Sequence, residues 1–176
     1  MANEDAFTRR FLSSMNLGKY DLAPSENSYH EVKVYKLNQI AEPGDHVAVW
    51  RDKRGYWHHG IYCGEDANED AFVIDLMPEM GVSSRSFDDF IHREDTAIVI
   101  DYDDNAFPKE VSLMFAKYAV EYSKECPITY NTVNSNCDKF ALMMRTGRWE
   151  PSISLPQPKK QHRRPSCSIS AKLGLR

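Results

Sequence analysis

An α+β fold follows from three features of the 176-residue sequence. Two strand-like segments, 46–50 and 56–63, flank the turn Asp52-Lys53-Arg54-Gly55 and read as an antiparallel hairpin. Two short apolar strands follow at 72–77 and 96–101. Two helical patterns come after them, at 108–124 and 137–146. Strands grouped first and helices grouped last predict a small antiparallel β-sheet packed against helices.

Each element has a local reason. In residues 5–17, Phe7, Phe11, Leu12 and Met15 fall on one side of a helix, and Gly18 and Pro24 break it. Val32, Val34 and Leu37 suggest a strand within 30–40, and Glu42-Pro43-Gly44-Asp45 is a turn signal. An acidic loop spans Glu65 to Asp70. Val111, Met114, Phe115, Tyr118, Ala119 and Tyr122 recur at helical spacing after Pro108, which suits a first turn. A connection over 125–136 leaves room for a strand at Ile128 to Tyr130. Phe140, Ala141 and Met144 line one face of the last helix, and Gly147 stops it. The expected organisation is an N-terminal extension at 1–28, a domain at 29–150 and a basic, disordered tail at 151–176.

Composition narrows the function. A 41% hydrophobic, 27% charged chain is that of a globular domain able to build a core without disulfides. The formal charge of −4 hides an asymmetry, because the tail carries six basic residues and no acid. The first 150 residues hold 16 basic against 26 acidic residues, so nucleic acid is not the expected partner. Cys63, Cys126, Cys137 and Cys167 show no C-x-x-C pairing, so neither a zinc site nor another cofactor is expected. No signal-peptide pattern opens the chain and no apolar run reaches a membrane span, which points to a cytoplasmic protein with free thiols.

Three groups of residues suggest chemistry. Asn136 is a good helix cap, and Cys137 just after it would feel the helix N-terminus, where a thiolate is stabilised. On its own, a single cysteine is more commonly a small buried hydrophobe. The strand Tyr56-Trp57-His58-His59-Gly60-Ile61-Tyr62 offers a base, with His58 and His59 on opposite faces and nothing in the pattern to choose between them. Asp75, inside the apolar strand at 72–77, needs a polar partner, which a neighbouring imidazole would supply.

Together these segments resemble the lecithin retinol acyltransferase (LRAT) family, which includes H-rev107-type phospholipase/acyltransferases and H-box/NC proteins. The family is similar in fold to NlpC-type thiol peptidases. The resemblance runs from Glu42 to about Trp149. It rests on the Pro43-Gly44-Asp45 turn, on His58-His59-Gly60-Ile61-Tyr62-Cys63-Gly64 against "H-(W/Y)-(A/G)-I-Y-x-G", and on Asn136-Cys137-Asp138-Lys139-Phe140 against "NCEHF". It implies a circularly permuted papain-like thiol fold with the nucleophile at a helix N-terminus. It assigns Cys137 as nucleophile, His58 as base and Tyr56 as an oxyanion donor. His59 takes the place of the family's aromatic residue, and Asp75 that of its second histidine, as the group orienting the base.

The activity implied is acyl transfer or phospholipase-type hydrolysis through a cysteine thioester, with an acyl lipid such as a phospholipid as substrate. The basic tail at 151–176 would favour peripheral contact with an anionic membrane. The alternative is a non-catalytic relative with a regulatory, morphogenetic or host-interaction role, which the Asp75 departure keeps open. Amidase or peptidase chemistry on the same fold is a third reading.

Overall fold

The computed structural model describes residues 27–103, 106–128, 130, 136–148, 155 and 157–158. Six strands form one antiparallel sheet: β1 (Asn27–Lys33), β2 (His46–Arg51), β3 (Tyr56–Glu65), β4 (Ala71–Met77), β5 (Gly81–Ser86) and β6 (Thr96–Tyr102). Their spatial order is β1-β6-β2-β3-β4-β5. Among the described residues, four α-helices pack with the sheet: α1 (Leu37–Ile40), α2 (Phe87–Ile91), α3 (Lys109–Glu125) and α4 (Cys137–Thr146). This is the α+β arrangement expected, with the sheet packed against helices.

Strand alternation divides the core into two layers. Ile61, Ile74 and Leu76 face α3 and α4 and pack with Phe115, Ala116, Ala119, Phe140 and Met143. Val47, Val49, Tyr62, Val73 and Val99 face the other way, onto Leu37 of α1 and Phe90 of α2. Each strand with both faces covered therefore reads as a nearly continuous apolar run, as in His46–Arg51.

Two expectations change, and two elements are new. The strand expected over 30–40 is β1, and it ends at Lys33; Val34–Lys36 form a 3-10 turn that leads into α1. The reason is visible in the spacing: Val34 and Leu37 are three apart, a helical step, and both are buried on one side. Ile128 and Tyr130 lie in no strand, and Ile128 instead joins the α3–α4 core. The sequence reading contained no β5 or α2. β5 holds one buried apolar residue, Val82, and is defined by pairing to β4 from Met77↔Gly81 to Phe72↔Ser86. α2 is capped by Ser86, whose hydroxyl accepts from the Asp89 N–H. The expected helix at 5–17 and most of the tail lie outside the described residues.

The turn before β2 is locked to the helices. Gly44 has φ +95, and a Cβ there would collide with the Lys109 carbonyl at the start of α3. Lys109 pairs with Asp45 at 2.8 Å, and buried Arg145 of α4 donates to the Gly44 carbonyl and the Ser112 hydroxyl, each at 3.2 Å. This clamp fixes α4 relative to β2 and β3, and with it the position of Cys137.

Candidate active site

α4 begins where the sequence places it. The Asn136 side-chain oxygen accepts from the Lys139 N–H at 3.0 Å, and Gly147 closes the helix in the left-handed conformation. Cys137 is thus the first helical residue, and it is buried.

The sheet has a seam at this point. β3 and β4 pair from Glu65↔Ala71 to Gly60↔Asp75 and no further. Continued register would join His59 to Leu76, but Leu76 and Met77 pair only with β5. The Tyr62 N–H and C=O both point toward the β2 side, to Asp45 and Gly44. Antiparallel alternation therefore turns the His59 N–H toward the seam. That N–H and the Asp138 N–H of α4 both act on the Cys137 sulfur and favour its thiolate. The Tyr130 hydroxyl also interacts with this sulfur.

His58 and Asp75 form a direct pair. His58 Nε2 lies 2.7 Å from Asp75 Oδ2, and both side chains are buried. Arg85 Nη1 donates to the same carboxylate oxygen at 3.1 Å. Both residues face the α2 layer, with the His58 ring 5.3 Å from that of Phe90. With Nε2 engaged, Nδ1 is the ring nitrogen left to His58.

His59 points to the α3–α4 side and enters a different network. Its Nδ1 lies 2.8 Å from His46 Nε2, and His46 Nδ1 lies 2.7 Å from the Tyr102 hydroxyl. Asp138 Oδ1 is 3.8 Å from His59 Nδ1.

The structure thus brings His58 to Asp75, and Cys137 to the His59 backbone and Tyr130. Among the described residues, no hydrogen bond links the thiol to the His58 ring. A cleft of about 360 Å³ is lined by Cys137, His59, Tyr130, Trp57, Leu155 and Tyr56. A second cleft, of about 270 Å³, contains His58, Arg51, Arg85 and again Tyr56. Tyr56, half-buried, is the side chain common to both.

The electrostatics differ from what helix position alone suggests. Burial pushes the Cys137 thiol up to about 11, and the Asp138 and Asp75 carboxylates add to this. The two backbone donors pull the other way without winning. Burial therefore favours the neutral thiol over the thiolate. Burial also lowers His58 below its usual range, opposed by the hydrogen bond and charge of Asp75. Cys63 is pushed up to about 11 by burial as well. Cys63, Cys126 and Cys137 are all free.

Sequence reasoning missed Tyr130 as a partner of the thiol, Arg85 as a partner of Asp75, and the His46–His59 pair. Arg85 sits on β5, the strand that the apolar pattern did not mark. An aromatic residue a few positions before a capped cysteine was the available signal for Tyr130.

Sheet, seam and buried thiol define the class: an α+β protein with a buried cysteine at a helix N-terminus and, on the other face of the sheet, a buried histidine–carboxylate pair. The family model for lecithin retinol acyltransferase matches residues 39–150, so the chain belongs to the LRAT family. Comparison with curated proteins finds no significant match.

Proposed function

We propose that this protein is a thiol acyltransferase or phospholipase that carries an acyl group as a thioester on Cys137. The observation that supports this best is the buried His58–Asp75 pair, 2.7 Å apart, on strands that part where the Cys137 sulfur sits. In this reading, Nδ1 of His58 takes the thiol proton as sulfur attacks the ester carbonyl of an acyl lipid. The tetrahedral oxyanion is stabilised by Tyr56 and a backbone N–H of the first turn of α4. Collapse breaks the ester C–O bond, and the proton on His58 passes to the leaving alcohol. Water, an amine or an alcohol then gives its proton to His58 and attacks the thioester, regenerating the thiol. Asp75 orients the imidazole and stabilises its charged form, taking the role that a second histidine has in the family pattern.

Because the resting thiol is neutral, proton transfer accompanies attack instead of preceding it. A phospholipid is the substrate we favour, reached from the cytoplasm, with the basic segment at 151–176 meeting anionic headgroups. No helix among the described residues is long and apolar enough to cross a membrane.

The deciding experiment is intact mass spectrometry after incubation with phosphatidylcholine. An acyl adduct that disappears in Cys137→Ala is the expected result. The burial of Cys137, 4% exposed, favours a second reading as a non-catalytic relative with a regulatory or host-interaction role. Absence of any adduct, with the fold intact, would favour that reading.

A further inference from the structure

We propose that His46, His59 and Asp138 form a binding site for one divalent transition-metal ion of the zinc class. The site lies on the helix side of the sheet, beside the Cys137 cleft. One donor atom from each residue falls within 4.8 Å of the other two, and all three residues are buried. His46 Nε2 and His59 Nδ1 are 2.8 Å apart, and Asp138 Oδ1 is 3.8 Å from His59 Nδ1. Donors around a tetrahedral zinc, at about 2.0–2.2 Å from the metal, stand roughly 3.3 Å from one another. The two His59 separations straddle that value, and the His46–Asp138 separation is within 4.8 Å, so ring and carboxylate rotations must draw the three donors together.

The donors come from stiff elements. His46 and His59 sit on paired strands, with His46↔Ile61 and Ala48↔His59 in register. Asp138 lies in the first turn of α4. Two imidazoles and a carboxylate suit zinc and its neighbours in the first transition row, and suit magnesium or calcium poorly.

An outer partner is also present. The Tyr102 hydroxyl, 2.7 Å from His46 Nδ1, can either donate or accept. Without metal, His46 Nε2–H can donate to His59 Nδ1 while Tyr102 donates to His46 Nδ1. With metal, the His46 proton resides on Nδ1 and is accepted by Tyr102, which frees Nε2. His59 keeps its proton on Nε2, so binding needs a tautomer change and no net proton release.

His59 and Asp138 both line the Cys137 cleft, which leaves that side of the metal for water or a ligand. One charge opposes binding. The Arg145 guanidinium lies 4.9 Å from the Tyr102 ring centroid, although it is held by Gly44 and Ser112. The Asp138 carboxylate offsets it. This site does not depend on Cys137 being catalytic.

The test uses the full chain stripped with EDTA, titrated with zinc by calorimetry and with cobalt(II) by visible absorption. One zinc per chain is expected, with cobalt ligand-field bands lacking thiolate charge transfer. His46→Leu and Asp138→Asn should each weaken zinc binding about tenfold or more, and Cys137→Ser should leave it unchanged. If His46→Leu does not fold, judged by circular dichroism, His46→Gln keeps polarity while removing the imidazole and should weaken binding equally. No zinc uptake, equal uptake by wild type and the His46 variants, or loss of uptake in Cys137→Ser would each overturn the proposal.

Discussion

Changing Asp75 to Asn removes one charge from a site where two donors depend on it. Asp75 is fully buried, and its Oδ2 receives both His58 Nε2 at 2.7 Å and Arg85 Nη1 at 3.1 Å. Asn offers one amide oxygen without charge, so one charge-assisted bond is lost, worth about 1.5–3 kcal/mol. Removing one partner of a buried ion pair costs about 3–5 kcal/mol in full, through the charge left behind. Arg85 escapes part of that cost, because its side chain is 15% exposed and it also donates to the Asp89 carbonyl at 2.7 Å. The expected destabilisation is about 2–4 kcal/mol, or roughly 5–15 °C in Tm for a chain of this size. Urea and thermal unfolding measure it. A second change, Arg85→Met, should recover about 1 kcal/mol or more in the Asn background, because the stranded guanidinium is gone. NMR titration of His58 in EDTA should move downward, since Asp75 is the group that resists the effect of burial. An Asn variant within about 0.5 kcal/mol of wild type, with His58 unmoved, would refute the pairing and its role in holding the base.

Further expectations test other parts of the fold. At Gly60, a Cβ would lie 2.5 Å from Val73 Cγ1 and 3.1 Å from Phe90 Cε2, so Gly60→Val should cost about 1–3 kcal/mol or more by overpacking, measured by urea unfolding. His46 and His59 are both held neutral by burial, His46 well below 6.5 and His59 at about 3. A histidine with a lowered folded pKa contributes its stability above the unfolded value and loses it as pH falls. Unfolding free energy should therefore be level above pH 6.5 and fall below it, by up to about 2 kcal/mol per histidine at pH 5; a level profile would refute the assignment. Iodoacetamide labelling of Cys137 should accelerate about tenfold per pH unit from pH 7 to 10, because the thiol titrates at about 11; a plateau near pH 7 would mean a preformed thiolate. Asn136→Ala should cost about 1 kcal/mol through the lost cap, read as a lower midpoint in urea.

The sequence made the hairpin and α4 legible because their signals are local. Turn residues bounded β2 and β3, while Asn136 and Gly147 marked the two ends of α4. β5 was not legible because its order comes from ladder bonds to β4, and Gly81-Val82-Ser83-Ser84-Arg85-Ser86 has no apolar alternation to announce them. The His58–Asp75 contact was anticipated from a buried acid needing a partner, but Arg85 as a second donor was hidden with its strand. Helix position suggested an ionised thiol at Cys137. The depth of burial that reverses this depends on how α4 packs into the seam, which no local pattern encodes. His46 lies in an apolar run and His59 beside another histidine, so their meeting depends on the β2–β3 register.

The seam between β3 and β4 gives the protein a built-in reporter. The amide of His59 would bond a peptide carbonyl if the ladder continued, and here it faces a sulfur, a weaker acceptor. Its chemical shift and exchange rate therefore follow the state of one side chain and not the stability of a strand. Deprotonation of Cys137 would strengthen that contact, and acylation or alkylation would weaken or break it. A single backbone resonance, assigned once, would then distinguish thiol, thiolate and thioester in solution without a substrate that changes colour or a label on the protein.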